Sequence, residues 1–330
     1  MSTTIVTTVE EINSGMKDGQ TVTGYYIAKN KAELKTKAGK DYISMKVSDA
    51  TGTADAKIWA LSNKIAEFKN NDIIKATGNV TTYQGASQFN IITLEIAKES
   101  EYAPESLIPM SKTKPSALYV ELAGIIDTLK DGRMKQLLER VLMKNKKLKK
   151  AFMSHSAAKT IHHAYSGGWL EHTVGVTKIC GKIADQYKVN RPLLITGALL
   201  HDIGKLDELS PFPENDYTDE GTMLGHVYMG AEFIAKEINA MRDDGIDFPQ
   251  ELENMLKHML LSHHGLLEWG SPKAPVMLEA HILHLADMMD TRISMVSEFI
   301  ENGSPNEKYV GFNKSLGSYI RHSETGHLED

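Results

Sequence analysis

Apolar and polar positions alternate with a period of two through the first hundred residues, in short runs parted by turn-forming residues. Thr21 to Ile27, Tyr42 to Val47, Ala54 to Trp59, Ile73 to Gly78 and Phe89 to Leu94 read as strands. Lys37-Ala38-Gly39-Lys40, Asp49-Ala50-Thr51-Gly52 and Gln84-Gly85-Ala86 read as turns. A helix is expected from Ser62 to Phe68, between the third and fourth strands. Five strands with a helix before the fourth is the element order of an OB-fold barrel.

Beyond a linker centred on Ala103 to Pro115, the apolar spacing changes to three and four. Ile125, Leu129, Leu137, Leu138, Val141 and Leu142 follow it. A last long helix is expected from Val276 to Ile300, with Leu278, Ile282, Leu285, Met289, Ile293 and Val296 on one stripe. After Gly303-Ser304-Pro305 the periodicity fades. The expected architecture is therefore multidomain, β followed by α. It has a barrel in residues 1–100, a linker in 101–115, an all-helical domain in 116–302 and a tail in 303–330.

At 330 residues the chain can bury two cores. Cys180 is the single cysteine, which excludes an internal disulfide and a thiolate metal cluster. No apolar run approaches a membrane span, and Met1 to Thr4 have neither the basic start nor the apolar core of a signal peptide. A cytoplasmic protein with no membrane partner is expected. The net charge of −6 hides a basic stretch: residues 112–159 carry twelve Lys/Arg against four Asp/Glu. Alone, such a run reads as a solvated helix face; beside a phosphodiesterase site it reads as a track for a polyanion.

All thirteen histidines lie at or after His155, so imidazole chemistry belongs to the helical domain. His201-Asp202-Ile203-Gly204-Lys205 closes the apolar run Leu193 to Leu200. An imidazole and a carboxylate at the end of a water-poor helix are costly to bury unless a cation pairs with them. His172 follows the turn Gly167-Gly168. His226 follows Gly225, His263-His264 precede Gly265, and Asp287 sits among apolar neighbours on the last helix. Imidazoles and carboxylates without thiolates suit Mn, Fe, Co, Ni or Zn. One ion could take His172, His201, Asp202 and Asp287. A second could take Asp202 as a bridge with His226, His263 and His264. Two such ions clamp the oxygens of an in-line displacement at phosphorus.

The order H…HD…H…HH…D resembles the HD-domain metal-dependent phosphohydrolases. The segments His162 to Thr173, Gly221 to His226 and His263 to Pro272 further resemble the YhaM-type 3′–5′ exoribonucleases, which join an OB-fold to an HD domain. The resemblance spans nearly the whole chain. It implies a phosphodiesterase acting on the 3′ end of single-stranded RNA, with single-stranded DNA as a second candidate, and manganese as the ion of choice. By position it implies the same ligands: His172, His201, Asp202 and Asp287, with His226, His263 and His264 for a second metal. Trp169 departs from that family, where an aliphatic residue is common, and is expected to alter packing. The tail after Gly303 has no match.

Catalytic roles fall on Asp202 and on Lys205, a cation beside the ligands that can neutralise charge on the phosphoryl oxygens. His163 and Arg292 are candidate phosphate contacts, whereas Asp290 with Arg292 reads as a packing pair. In the barrel, Tyr42, Trp59, Tyr83 and Phe89 can stack bases, and Lys35, Lys37 and Lys40 can meet the backbone. The barrel sequence has no arginine, which favours sequence-tolerant phosphate contacts over bidentate base reading. Two other readings compete: an HD phosphohydrolase of nucleotides or cyclic dinucleotides, and a non-catalytic single-strand-binding protein. A homo-oligomer is compatible with all three.

Overall fold

Five antiparallel and parallel pairings close the N-terminal strands into a barrel of order β1-β2-β3-β5-β4. The strands are β1 (Thr21–Lys35), β2 (Asp41–Asp49), β3 (Gly52–Ile58), β4 (Ile73–Tyr83) and β5 (Ala86–Ile96). The computed structural model describes residues 6–15, 17–159, 163–301, 303–304 and 307–323; His162 lies outside them. The chain divides into two compact units, one reaching to Met110 and including Phe212–Glu214, the other holding the rest.

Alternation explains the barrel core. Along β4, Ile74, Ala76 and Val80 point inward, and β1 contributes Val22, Tyr26 and Ala28. β1 serves two neighbours: its first half pairs with β4 and its second half with β2. The register shift between Lys29 and Ala32 marks a bulge that bends the strand between those tasks. β3 and β5 pair in parallel and close the ring.

The helix expected over Ser62 to Phe68 is absent. Those backbone groups turn to strand β5 instead: Ala66 N–H donates to Leu94 O and Leu94 N–H to Lys64 O, at 2.9 and 3.0 Å. A helix does meet the barrel, but it precedes β1. This α1 (Val9–Asn13) buries Val9 and Ile12 in the barrel core. Thr8 and Glu11 form a reciprocal capping box, at 3.3 and 3.0 Å, that starts it. Within the segment read as a linker, α2 (Pro104–Leu107) buries Leu107 and packs on β1 and β2.

The second unit begins with α3 (Pro115–Asp127) and α4 (Gly132–Leu138). A π-helical turn, Glu139–Lys144, leads to α5 (Lys146–Ser154). The site-bearing helices follow: α6 (Gly168–Gln186), α7 (Arg191–Leu200), α8 (Lys205–Glu208), α9 (Asp219–Asp243), α10 (Gln250–Ser262) and α11 (Leu278–Glu301). α7 is the centre of this unit, every residue from Leu193 to Leu200 being buried. It packs against α6, α10 and α11. Asn190 caps it by accepting from Leu193 N–H, and Pro192 fits its first turn.

Along α11 the expected stripe is only partly inside. Ile282 is buried with Ala280, Leu283 and Ala286, while Leu285, Met289 and Ile293 are exposed. The buried face is the one that carries Asp287. After α11, β6 (Tyr309–Asn313) and β7 (Ser318–Arg321) form a hairpin in the tail where no periodicity was evident. Among the described residues no helix is long and apolar enough to cross a membrane.

Tyr26 is the barrel's test residue. It is fully buried, lies edge-on to Phe89 at 5.7 Å, and its hydroxyl donates to Thr7 O at 2.7 Å. Tyr26→Phe keeps the ring and leaves that carbonyl unsatisfied, so the barrel's urea midpoint should fall by the equivalent of about 1–2 kcal/mol. An unchanged midpoint would mean that the hydroxyl adds nothing to the closure of α1 on the barrel.

Candidate metal centre and nucleic-acid interface

The seven side chains read as metal ligands come from five helices and meet in one buried site. His172 stands near the start of α6, His201 and Asp202 in the turn after α7, and His226 within α9. His263 and His264 end α10, and Asp287 lies in α11. Gly225, at φ 72°, breaks α9 just before His226, a conformation that glycine adopts without strain. The break lets both the backbone N–H and the Nδ1 of His226 reach Glu208 Oε1, at 3.0 and 2.9 Å.

Asp202 sits at the centre, 1% exposed. Its Oδ2 lies 3.5 Å from His172 Nε2, 3.4 Å from His201 Nε2 and 2.7 Å from Lys205 Nζ. Its Oδ1 lies 3.5 Å from both His226 Nε2 and His263 Nε2. His172 Nε2 is also 3.3 Å from Asp287 Oδ1, and His264 Nε2 is 3.2 Å from His226 Nε2. One carboxylate thus faces two sets of imidazoles with its two oxygens.

The tautomers follow from the acceptors behind each ring. His201 Nδ1 faces Ala198 O at 2.8 Å, His263 Nδ1 faces Leu260 O at 2.7 Å, and His264 Nδ1 faces Trp269 O at 3.0 Å. His172 Nδ1 faces Asp290 Oδ2 at 2.8 Å, and His226 Nδ1 faces Glu208. Carbonyl and carboxylate oxygens only accept, so each Nδ1 carries the proton and donates it. Every Nε2 then faces inward, with a lone pair to offer a cation; His172, held protonated by Asp287 and Asp290, must first give up its Nε2 proton. His172 and His201 bring two such nitrogens within 3.2 Å of each other. Among the described residues Asp202 Oδ1 has no hydrogen-bond partner although it is buried. Lone pairs converging on an orphaned carboxylate oxygen are what a cation satisfies, and the donor set fits divalent ions of the N/O-preferring kind.

Electrostatics in the site are dominated by burial and then by close partners. Burial favours the neutral form of Asp202, but Lys205 and His201 outweigh it and hold the carboxyl well below the usual range. Burial lowers His172, yet hydrogen bonds to Asp287 and Asp290 raise it to about 9. His264, buried and beside His263 and His226, falls to about 3 and stays neutral. Burial alone would raise Asp290, but bonds from His163 and His172 bring it to about 2.

Four residues beyond the expected ligand set shape the site. Asp290 does not pair with Arg292; it supports His172, and Arg292 is exposed outside the site. Asp290 shares the inner face of α11 with Asp287 three residues earlier, a spacing that could have signalled it. Gly175 makes room, since a Cβ there would come within 2.3 Å of Asp290 Oδ1. Glu208 orients His226, with no sequence signal beyond an acid in the loop before it. Trp169 does pack, stacked on Phe152 at 4.8 Å, but its indole N–H also donates to Asp202 O at 2.9 Å.

His163 is corrected as a phosphate contact. It is 6% exposed, and its ring is held between Tyr165 Oη at 2.8 Å and Asp290 Oδ2 at 3.2 Å. It belongs to the support behind His172. Lys205 Nζ lines the same cavity of about 370 Å3 as Asp202 and His264. Within the basic stretch, Lys135, Arg140 and Lys144 pair with Asp127, with Glu237 and Asp244, and with Glu139.

On the barrel, Tyr42 and Trp59 stack at 4.8 Å and 22°, with Trp59 49% exposed. Trp59 Nε1–H donates to Asn90 Oδ1 at 2.7 Å, and Lys57 Nζ lies 5.8 Å from the Tyr42 ring centre. Tyr83 is exposed, as are Lys35, Lys37 and Lys40, of which Lys35 pairs with Asp41 at 3.1 Å. Phe89 is corrected: it is fully buried, because strand alternation sends it inward with Ile91, and it cannot stack a base.

Replacing Asp290 by Asn, or Glu208 by Gln, removes the negative acceptor behind one imidazole. Each change should weaken divalent-ion binding about 10–100-fold in calorimetric titration. Wild-type affinity in both variants would mean that negative charge behind these two imidazoles adds nothing to ion binding.

A family model described as HD domain matches residues 169–292. The chain is 31% identical to a protein named 3′–5′ exoribonuclease YhaM from Oceanobacillus iheyensis, over 88% of this chain and 90% of that one. To the protein of the same name from Listeria innocua it is 32% identical, over 88% of this chain and 91% of that one. The second OB-fold domain of replication protein A from Methanococcus maripaludis aligns at 21% identity with a TM-score of 0.20, over 26% of this chain and 90% of that structure. With the relatives matched nearly end to end, the chain belongs to the YhaM family.

Proposed function

We propose that this chain is a metal-dependent 3′–5′ exoribonuclease that shortens single-stranded RNA, and single-stranded DNA as a second substrate, to nucleoside 5′-monophosphates. The observation that carries the reading is Asp202, whose two oxygens face two imidazole sets in a buried site. His172, His201, Asp202 and Asp287 would hold one divalent ion, and Asp202, His226, His263 and His264 a second, with manganese the preferred occupant. Bound ions supply an acidified water and positive charge for the phosphoryl oxygens.

Hydrolysis replaces the bond between phosphorus and the 3′ oxygen with a bond to the oxygen of water. The released nucleotide keeps its 5′ phosphate, and the shortened strand ends in a new 3′ hydroxyl. Lys205, buried against Asp202 at the cavity wall, is raised in pKa by that carboxylate once its burial is overcome. It therefore stays cationic and meets the negative charge that grows on the phosphoryl oxygens. Trp169 fixes the Asp202 backbone through its indole N–H, and Asp290 and Glu208 keep two imidazoles aimed inward.

The barrel gives the reading its polymer. Its Tyr42–Trp59 stack, Tyr83 and the lysines of the β1–β2 turn suit a strand bound through base faces and phosphates. A free nucleotide substrate leaves that surface without a task.

The test uses 5′-labelled single-stranded RNA with manganese and a His201→Ala/Asp202→Ala variant. The wild-type protein should give a descending ladder from the 3′ end, and the variant should lose at least about 1,000-fold in rate, as when groups acting as a unit are removed. RNA bound but never shortened, or hydrolysis confined to mononucleotides, would overturn the proposal.

A further inference from the structure

The cavity over Asp202 is lined by two aromatic side chains that offer no ligand atom, Trp269 and Tyr217. They are 49% and 53% exposed. The other tryptophans of the chain are satisfied: Trp169 donates to Asp202 O and Trp59 to Asn90 Oδ1. Among the described residues the Trp269 indole N–H meets no acceptor. A large ring half exposed at a cavity wall offers a flat apolar face that a planar ligand can cover.

Both rings are nevertheless held in place. Trp269 ends the 3-10 turn Leu267–Trp269, and its carbonyl accepts from the Nδ1–H of His264, a residue of the imidazole cluster. Its ring lies 6.1 Å from that of His284. Tyr217 is bridged to Leu209, and Asn215, two residues earlier, donates to Ala158 O and Lys159 O at 3.2 Å each. Lys159 Nζ lies 5.7 Å from the Tyr217 ring centre. The backbones that carry the rings are held, and both rings keep exposed surface, with Lys159 over one face of Tyr217.

The chemistry of the wall selects the ligand. Its volume of about 370 Å3 lies in the range of roughly 300–1,000 Å3 typical of small-molecule sites, enough for a terminal nucleotide and too little for a length of strand. Lys205 and the imidazole cluster supply the phosphate end. Among the described lining residues there is no arginine, asparagine or glutamine, the side chains most often found gripping a base edge with two hydrogen bonds. An enzyme that consumes a strand from its end must accept every base, and stacking on an aromatic face does so.

We propose that Trp269, together with Tyr217, forms the subsite for the base of the 3′-terminal nucleotide. The proposal rests on the exoribonuclease reading for its substrate, and it makes Trp269 a binding residue for any base.

Calorimetry on the manganese-loaded protein compares nucleoside 5′-monophosphates with ribose 5-phosphate, which lacks the base. The wild-type protein should bind all four monophosphates about 5- to 150-fold more tightly than ribose 5-phosphate, the span expected for one stacked base. Trp269→Ala should erase that preference, Trp269→Phe should restore most of it, and both should keep wild-type manganese affinity. On RNA, Trp269→Ala should raise KM by a similar factor with kcat changed less than about threefold. A wild-type protein that binds ribose 5-phosphate as well as the nucleotides overturns the subsite, as does a Trp269→Ala variant that keeps the preference. Loss of manganese affinity in Trp269→Ala also overturns it, by making Trp269 a support for His264 alone. If the wild-type protein leaves RNA intact, the exoribonuclease reading fails, and the nucleotide titration still decides the subsite.

Discussion

The helical unit depends on one constraint: two carboxylates and five imidazoles, most of them buried, crowd together where five helices converge. Asp202, Asp287 and the inward-turned Nε2 atoms repel one another unless positive charge lies among them. The protein supplies some of it through Lys205, 2.7 Å from Asp202. It supplies the rest of the order from behind, through carbonyls and carboxylates that fix each Nδ1 proton. His201 and His263 use the same device, each donating to the carbonyl three residues earlier, at the end of its own helix. The ends of α7 and α10 therefore orient these imidazoles. Carbonyls near their ends, which an ordinary helix leaves to water, here hold the two rings.

Support extends outward in a chain of specific contacts. Asp290 joins His172 to His163, His163 meets Tyr165, and Tyr165 donates to Glu171 at 2.7 Å. Trp169 holds the Asp202 carbonyl from within the apolar core and stacks on Phe152 as it does so. Packing and ligand orientation are thus carried by the same side chains. The departure at Trp169 from an aliphatic residue adds a donor where packing alone was expected.

Much of this was legible in the chain because two signals are strong in single sequences. Period-two alternation gave the five strands, and their order fits the closed barrel. Histidines and an aspartate beside helix ends and glycine turns, with one aspartate among apolar neighbours on the last helix, gave seven residues that the fold brings together. What was not legible depended on contacts distant in sequence. The Ser62 to Phe68 segment has helical composition, but its backbone bonds to β5 instead. Phe89 looked available, yet only the strand's register says which face it takes. Asp290 and Glu208 are ordinary acids until His172 and His226 stand beside them. Leu285, Met289 and Ile293 follow a stripe that implies burial, while the helix turns its Asp287 face inward to serve the site. The Thr8–Glu11 capping box is present in the sequence in plain form, but a helix of five residues is too short to show a period.

The central claim is that Asp202 joins two cation sites, one on each oxygen. Manganese titration followed by electron paramagnetic resonance tests it by counting ions per chain. The account predicts two ions for the wild-type protein and one each for His172→Ala and His226→Ala. It predicts at least about tenfold weaker binding at both sites for Asp202→Asn. A single ion in the wild-type protein, or an Asp202→Asn variant that loses only one of two, would contradict it.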